Sequence, residues 1–322
     1  MPSDKAATEG EALSNTKRRL LNVRAERSAS DASPPSSASC LVCDASGESR
    51  LLFHTSRPIL QCRVCGLVYA DPHSAETHQD YSEHYYREGV YADYLADRDA
   101  IQRNAPRALA ELERLVRGRK LLDVGCATGF FLEAARARGW DVFGLEVSEY
   151  AANYARCELG LPVETASIVQ EPAGLRQFDA ITLWDTIEHL DRPDIALANI
   201  RRLLAPDGIF VFSTGDYNSL LRRLSGKGWR LFADPTHNFF FDERVLRLML
   251  KRAGFEVLRV SHRGKRVSLA LMLHQSGLPL SRPLRTWIRA KGWNPSLYVN
   301  LRDVITIFAR PISPEVNLHR SS

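Results

Sequence analysis

The sequence has no apolar run that approaches the roughly 18 residues a membrane-spanning helix needs. The longest obvious one, "VSLALML", has seven. The N-terminus lacks the apolar core of a secretory signal. It is rich in Ser, Ala and Arg, but Glu9, Glu11, Glu26 and Asp31 argue against a transit peptide. These absences make a cytoplasmic protein the expectation. There is no internal repeat, which sets aside solenoids and propellers. The G-x-G-x-x-G fingerprint of dinucleotide sites is also missing, so a nicotinamide dehydrogenase is the weaker reading.

What is present is an ordinary globular composition. The 322 residues are 44% hydrophobic and 25% charged, with a net charge of +5. That is enough chain for one large or two ordinary domains. The charge is uneven: Glu256 to Ser322 holds eleven Lys and Arg against three acids. Such a tail suits phosphates, anionic lipid or an acidic substrate, and equally a plain solvated surface.

Four segments emerge along the chain. Residues 1–39 are polar, end in "SDASPPSSAS" and read as a disordered tail. Residues 40–75 form a compact cysteine module. Residues 76–118 read as a helical linker, in which "RALAELERLVRG" places Leu109, Leu112, Leu115 and Val116 on one face. From residue 119 to 322, short apolar runs alternate with helical stretches. "KLLDVG", "WDVFGLEV", "LPVETA", "FDAITLW", "GIFVFST", "FEVLRVS" and "RDVITIFARP" read as strands. "FFLEAARARG", "SEYAANYARCELG", "RPDIALANIRRLLAPDG" and "DERVLRLMLKRAG" read as helices. This alternation predicts an α/β fold, a doubly wound sheet with helices on both faces. Two long connections, 215–241 and 264–300, interrupt the rhythm and are expected to act as substrate lids.

Four of the six cysteines, Cys40, Cys43, Cys62 and Cys65, form two C-x-x-C pairs separated by eighteen residues. Without a secretory signal, that spacing points to a four-thiolate zinc site before disulfides. Unrelated buried cysteines or a redox pair are the alternatives. A four-thiolate zinc is closed to chemistry, so a structural zinc-ribbon role is expected. Ribbons of this kind also bind nucleic acid, but the module has Arg50, Arg57 and Arg63 and no Lys against Asp44, Glu48 and Asp71. No basic face is evident, and no nucleic-acid partner is expected.

"LLDVGCATGFF" sits where a strand meets a helix. Gly125 and Gly129 let a ligand approach the backbone closely, and the helix start offers unpaired N–H groups. Asp123 can accept a hydrogen bond from an ammonium group. Glu146 ends the next strand, 21 residues after Gly125, where an acid can hold both hydroxyls of a ribose.

"LLDVGCATGFFLEAARARGWDVFGLEVS" resembles the S-adenosylmethionine (SAM) site of class I methyltransferases. "FDAITLWDTIEHLDRP" and "LLAPDGIFVFST" resemble the fourth and fifth strands of that family. The resemblance spans about Leu121 to Ser261. Within it, the subgroup with cysteine pairs before the domain and a P-x-H segment after the fifth strand matches "DPTHNFFFDERVLRLMLKRAGFEV". The resemblance implies a Rossmann-like, seven-stranded sheet with the last strand, "RDVITIFARP", antiparallel. It implies SAM as cofactor and a small-molecule acceptor. It places Asp123, Gly125, Cys126, Ala127 and Gly129 around the methionine moiety and Glu146 on the ribose. Val147 and Ser148 would flank the adenine, Ala166 and Ser167 would cover its other side, and Trp184 and Asp185 would lie beside the sulfonium.

Methyl transfer to a hydroxyl needs alignment, proton removal and exclusion of water. His189, just past the fourth strand, and His237, in "GWRLFADPTHNFF", are the candidate bases. "WDTIEHL" is similar to the acid-x-x-Glu-His stretch of ubiquinone-biosynthesis O-methyltransferases, which implies a divalent metal on Asp185, Glu188 and His189. Glu188 and His189 therefore stand open between stabilising the turn, serving as base or acceptor contact, and binding metal. Trp229, Phe232, Phe239, Phe240 and Phe241 suit either a lid over a ring-shaped acceptor or plain core. In 281–293, Leu284, Trp287 and Ile288 share a helical face near Arg282, Arg285 and Arg289. That segment reads as a peripheral membrane contact, a grip on a phosphorylated acceptor, or packing over the site. The expected activity is O-methylation of a sugar, glycan intermediate, quinone or phenol. The alternatives are sugar C-methylation, disfavoured because only about sixty residues follow the last helix–strand pair, and a nucleic-acid-binding zinc protein with a methyltransferase-like body. The sequence leaves the oligomeric state open.

Overall fold

In a computed structural model, the described residues are 39–74, 94–170, 174, 177–275, 281–291 and 293–312. The tail of residues 1–38 and much of the linker, including 75–93, lie outside them. Three short strands open the described chain: β1 (Ser49–His54), β2 (Pro58–Cys62) and β3 (Val68–Ala70). After helix α1 (Arg98–Leu115) come β4 (Lys120–Val124), α2 (Phe130–Ala137), β5 (Asp141–Glu146), α3 (Glu149–Cys157) and β6 (Val163–Thr165). Then follow β7 (Phe178–Trp184), α4 (Pro193–Leu203), β8 (Leu204–Gly215), α5 (Leu220–Ser225), β9 (Phe239–Phe240), α6 (Glu243–Arg252) and β10 (Phe255–Ser261). The chain closes with β11 (Lys265–Ser268), α7 (Leu269–Gln275), α8 (Ser281–Ala290), β12 (Ser296–Val299) and β13 (Val304–Pro311).

The main sheet has seven strands in the order β10-β13-β8-β7-β4-β5-β6. The strands from β8 to β6 pair in parallel, and β13 runs antiparallel to both β8 and β10. The expected antiparallel strand is thus β13, inserted beside β8. Both faces of the sheet are covered, which is why its strands read as continuous apolar runs. The pleat divides them: Leu121, Ile209 and Val211 face one core with α1, α2 and α3. Leu122, Phe210 and Phe212 face the other, with α4 and α6. Burying each of these phenyl rings contributes about 1.5–3 kcal/mol.

Two local expectations are corrected. On α1, Leu109 and Leu112 are fully buried but Leu115 is 45% exposed. Leu115 lies six residues from Leu109, which at 3.6 residues per turn rotates it off the buried stripe. The helix expected to run through Gly208 ends at Leu203. Strand β8 begins at Leu204, and a register shift against β7 between Phe178 and Ala180 absorbs Pro206–Gly208. On α8, Ile288 is buried whereas Leu284 and Trp287 are 41% and 52% exposed.

The two long connections have their own structure. The second one folds as an antiparallel hairpin of β11 and β12, with α7 and α8 between them. Asn104 on α1 clasps this hairpin. Its Nδ2 donates to the Arg266 carbonyl at 2.9 Å and its Oδ1 accepts the Arg266 amide at 2.7 Å. The first connection returns through β9, which pairs with β3 (Val68 opposite Phe240) and makes a four-stranded sheet β1-β2-β3-β9. Its aromatic residues fill the space beneath. Trp229, Phe232 and Phe240 pack with Ile59, Val68 and Ala70, while Phe239 and Phe241 join the core around Cys62, Cys65 and Leu67. None of the five lines the crevice described below, so for these aromatic residues the core-packing alternative holds.

Candidate active site

The carboxyl ends of β4, β5 and β7 open on a crevice of about 1640 Å³. Ligands of doubly wound sheets bind at this edge, where the connections diverge. Three residues in the turn after β4 take left-handed backbone: Gly125 (φ 69°), Ala127 (φ 49°) and Gly129 (φ 82°). A Cβ on Gly125 would lie 2.6 Å from Thr186 Oγ1, so this glycine lets the turns after β4 and β7 touch. Asp185, in the turn after β7, is also left-handed (φ 48°). Non-glycine residues hold such angles only when their surroundings enforce them, and such positions cluster at functional sites.

Asp123 is buried, and its Oδ1 accepts a 2.6 Å hydrogen bond from Thr182. Burial, reinforced by the nearby Glu146 charge, pushes its pKa up to about 7 against the Thr182 bond. Glu146 is also buried and shifted upward by burial. Its two oxygens accept the Ala127 and Ser148 amides, each at 2.8 Å, which fixes the carboxylate at the crevice wall. Val147, Ala166, Ser167, Trp184 and the backbone of Ala127 complete this half of the crevice. Two expected residues take other positions. Gly129 precedes α2 and packs on Leu161, Ser148 caps α3 by accepting the Ala151 amide, and neither lines the crevice. Cys126 does line it, but its thiol turns into the core, where a Cβ on Gly144 would lie 2.6 Å from Sγ.

Asp185 meets a residue the sequence did not single out. Lys265 on β11 donates to its Oδ2 at 2.6 Å, and Ser213 donates to its Oδ1 at 2.7 Å. Burial alone would raise this carboxyl, but Lys265 and Ser213 hold it at about 2. Asp185 thus stands apart from Glu188 and His189, the partners expected to share a metal with it. His237 takes that place. One donor atom each from Glu188, His189 and His237 lies within 4.8 Å of the others, all three buried.

The hydrogen bonds around this trio fix its protons. His237 Nδ1 donates to the Leu231 carbonyl at 2.8 Å. His189 Nδ1 lies 3.1 Å from the Thr236 carbonyl and 3.0 Å from Thr236 Oγ1, whose proton goes to Asp234 Oδ1. In both rings Nδ1 carries the proton, leaving the Nε2 lone pair. Burial, with His237 beside it, lowers His189 to about 4, and burial lowers His237 as well. Both rings are therefore neutral at pH 7. Glu188 is raised to about 8 by burial and by the Asp185 charge, and its Oε2 has no hydrogen-bond partner among the described residues. Asp234 Oδ2 sits 3.7 Å from His237 Nε2. Asp234 carries a local signal, standing three residues before the histidine; Lys265, 80 residues from Asp185, carries none.

The four cysteines lie apart from this crevice. Cys40 Sγ is 3.6 Å from Cys65 Sγ and Cys43 Sγ 3.7 Å from Cys62 Sγ, and all four sulfurs lie within 4.8 Å of one another. Zinc–sulfur bonds of about 2.3 Å in a tetrahedron require sulfurs about 3.8 Å apart. The set fits a structural zinc.

Residues 91–260 match the profile of the family described as "Methyltransferase domain". Among curated relatives, the ubiquinone biosynthesis O-methyltransferase of Bordetella avium is 31% identical over 160 residues, 46% of this chain and 66% of the relative. That of an Azoarcus species is 30% identical over 156 residues, 45% of this chain and 67% of the relative. The chain thus spans about two thirds of the length of these relatives. Solved structures with a similar course include magnesium protoporphyrin IX methyltransferase from Synechocystis with bound SAH, at 16% identity and a TM-score of 0.47, covering 71% of this chain and 97% of the other. A SAM-dependent methyltransferase from Archaeoglobus fulgidus aligns at 19% identity and 0.45, covering 67% and 98%. With the family profile matching more than half its residues, the chain belongs to the methyltransferase domain family and is a class I SAM-dependent methyltransferase.

Proposed function

We propose that this enzyme moves the methyl group of SAM to a hydroxyl of a small ring-bearing acceptor, a phenol or quinol before a sugar. The carrying observation is the pair of buried, neutral histidines with unprotonated Nε2 atoms beside the Asp123–Glu146 half of the crevice. The O-methyltransferase names of the curated relatives favour oxygen over carbon and a quinol-type ring over a sugar.

In this reading Asp123 accepts the ammonium of SAM and Glu146 its ribose hydroxyls. Val147 lies to one side of the adenine, and Ala166 and Ser167 to the other. Asp185 and Trp184 face the sulfonium. The acceptor hydroxyl lies against His237. Its oxygen attacks the methyl carbon as the carbon–sulfur bond breaks, and its proton passes to His237 Nε2. The Leu231 carbonyl orients the ring, and Asp234 stabilises the imidazolium that forms. His189, whose ring packs against that of His237, serves as an acceptor contact. A second reading is favoured by the convergence of Glu188, His189 and His237: these residues would hold a divalent cation, which supplies Lewis acidity to an acceptor oxygen. Both rings already donate Nδ1–H to Thr236 or Leu231, as metal-binding histidines do.

Methyl-labelled SAM offered with catechols, quinols and sugar derivatives tests this. The expected result is label on a phenolic oxygen, with His237→Ala lowering kcat by about 10²–10⁴-fold and SAM affinity unchanged. Label on carbon or nitrogen, or none on any acceptor, would overturn it. Added Mg²⁺ or Mn²⁺ separates the two readings: turnover indifferent to both leaves His237 as base.

A further inference from the structure

One buried side chain of the four-cysteine module reaches the acceptor side of the site. Arg57 sits in the turn between β1 and β2 and is 3% exposed. Its guanidinium reaches a segment 180 residues further on. Nη2 donates to the His237 carbonyl at 2.5 Å and Nη1 to Asn238 Oδ1 at 3.1 Å. Asn238 continues the link. With its Oδ1 accepting from Arg57, its Nδ2 donates to the His189 carbonyl at 3.0 Å, and its backbone N–H donates to the Glu188 carbonyl at 2.8 Å. Its own carbonyl accepts the Ala70 amide at 2.9 Å, beside the β3–β9 pairing.

A buried guanidinium is costly to desolvate, and its planar fork is the one side chain that spans two acceptors in fixed geometry. Here the fork grips the segment that carries His237, and Asn238 ties that segment to the one that carries Glu188 and His189; the His189 and His237 rings lie 4.6 Å apart. We propose that Arg57, acting through Asn238, is a positioning residue for the His189–His237 pair. The four-cysteine module is then a brace for methyl transfer and takes no part in cofactor binding. The proposal rests on the acceptor-side reading given above.

The test compares Arg57→Lys, Arg57→Ala and Asn238→Asp in the full-length protein, with Arg50→Ala as a module control. Lys keeps the charge but loses the fork. Asp keeps an acceptor for Arg57, and gains an ion pair, but cannot donate to the His189 carbonyl. Each protein is measured for SAM affinity, for kcat and acceptor KM, and for the ring resonances of labelled histidine, assigned with His189→Gln and His237→Gln. The expected result is a kcat loss of roughly 10–100-fold in Arg57→Lys and Asn238→Asp, the scale of a misplacement of about 1 Å. SAM affinity stays within about twofold, and the His189 and His237 ring signals move; Arg50→Ala changes none of these. Where Arg57→Ala does not fold, the other two variants carry the test. Unmoved ring signals with turnover within twofold of wild type would overturn the proposal. So would a loss of SAM affinity that accounts for the loss of turnover. A wild-type protein that transfers no methyl group sinks the functional reading alone, because the ring signals still report the brace.

Discussion

At the residue scale, the crevice is a set of carboxyls tuned by burial and by what touches them. Asp185 is held near 2 by Lys265 and Ser213, whereas Asp123 is pushed to about 7 and Glu188 to about 8 by burial. Asp123 has a direct consequence. A cationic amine binds its ionised form, and below pH 7 the free protein carries a proton there that binding must expel. SAM affinity is therefore expected to weaken as pH falls through 7, approaching tenfold per unit below it. Above pH 7 the profile is flat. Asp123→Asn should bind SAM more weakly at pH 8 and lose most of this pH dependence. Calorimetric titration from pH 6 to pH 9 checks both, and an affinity that rises on acidification would contradict the assignment. The placement of Asp123 and Glu146 on the crevice was legible in the sequence, because it follows from position, near the end of one strand and at the end of the next. The state of Asp185 was not, because Lys265 reaches it from a hairpin 80 residues away that no periodicity links to β7.

At the element scale, the same contrast separates what the chain announces from what it leaves unsaid. The strands from β4 to β8 are buried on both faces, so their apolar runs stand out, and the helices between them carry clean apolar stripes. The hairpin of β11 and β12 carries no such mark: "KRVS" and "SLYV" are short and largely exposed or half-buried. It is placed by polar contacts to α1 and to the turn before it. Asn104 satisfies both backbone groups of Arg266, and the Ser268 hydroxyl donates to the buried Asp97 carboxyl. Asn104→Ala leaves the Arg266 amide and carbonyl without these partners, at a cost of about 1–3 kcal/mol. The hairpin carries Lys265, so loosening it also loosens the hold on Asp185. Limited proteolysis is expected to cut within residues 263–300 faster in Asn104→Ala than in wild type, while kcat/KM for the acceptor falls more than SAM affinity. An unchanged cleavage rate would show that the hairpin is held by something else.

At the scale of the whole molecule, the cysteine module and the seven-stranded sheet share one interior. Val42, Cys62, Cys65 and Leu67 lie in the same apolar cluster as Phe241, Val245 and Leu246, and Arg244 donates to the Cys65 carbonyl at 2.9 Å. A module built this way has no private core to lose first. A cation held by the four thiolates supplies binding energy that becomes folding energy. A ligand held at a thousandfold excess over its Kd stabilises by about 4 kcal/mol. In a protein of this size, each kcal/mol moves Tm by about 2–4 °C. Removing the metal with a strong chelator is therefore expected to lower Tm by on the order of 10 °C, in one transition seen alike by near-UV and far-UV dichroism. Cys65→Ser should lower it similarly and make it indifferent to chelator. Two separated transitions, with the sheet melting at its original temperature, would show instead that the module unfolds on its own and that its contacts with β9 and α6 contribute little to the stability of the sheet.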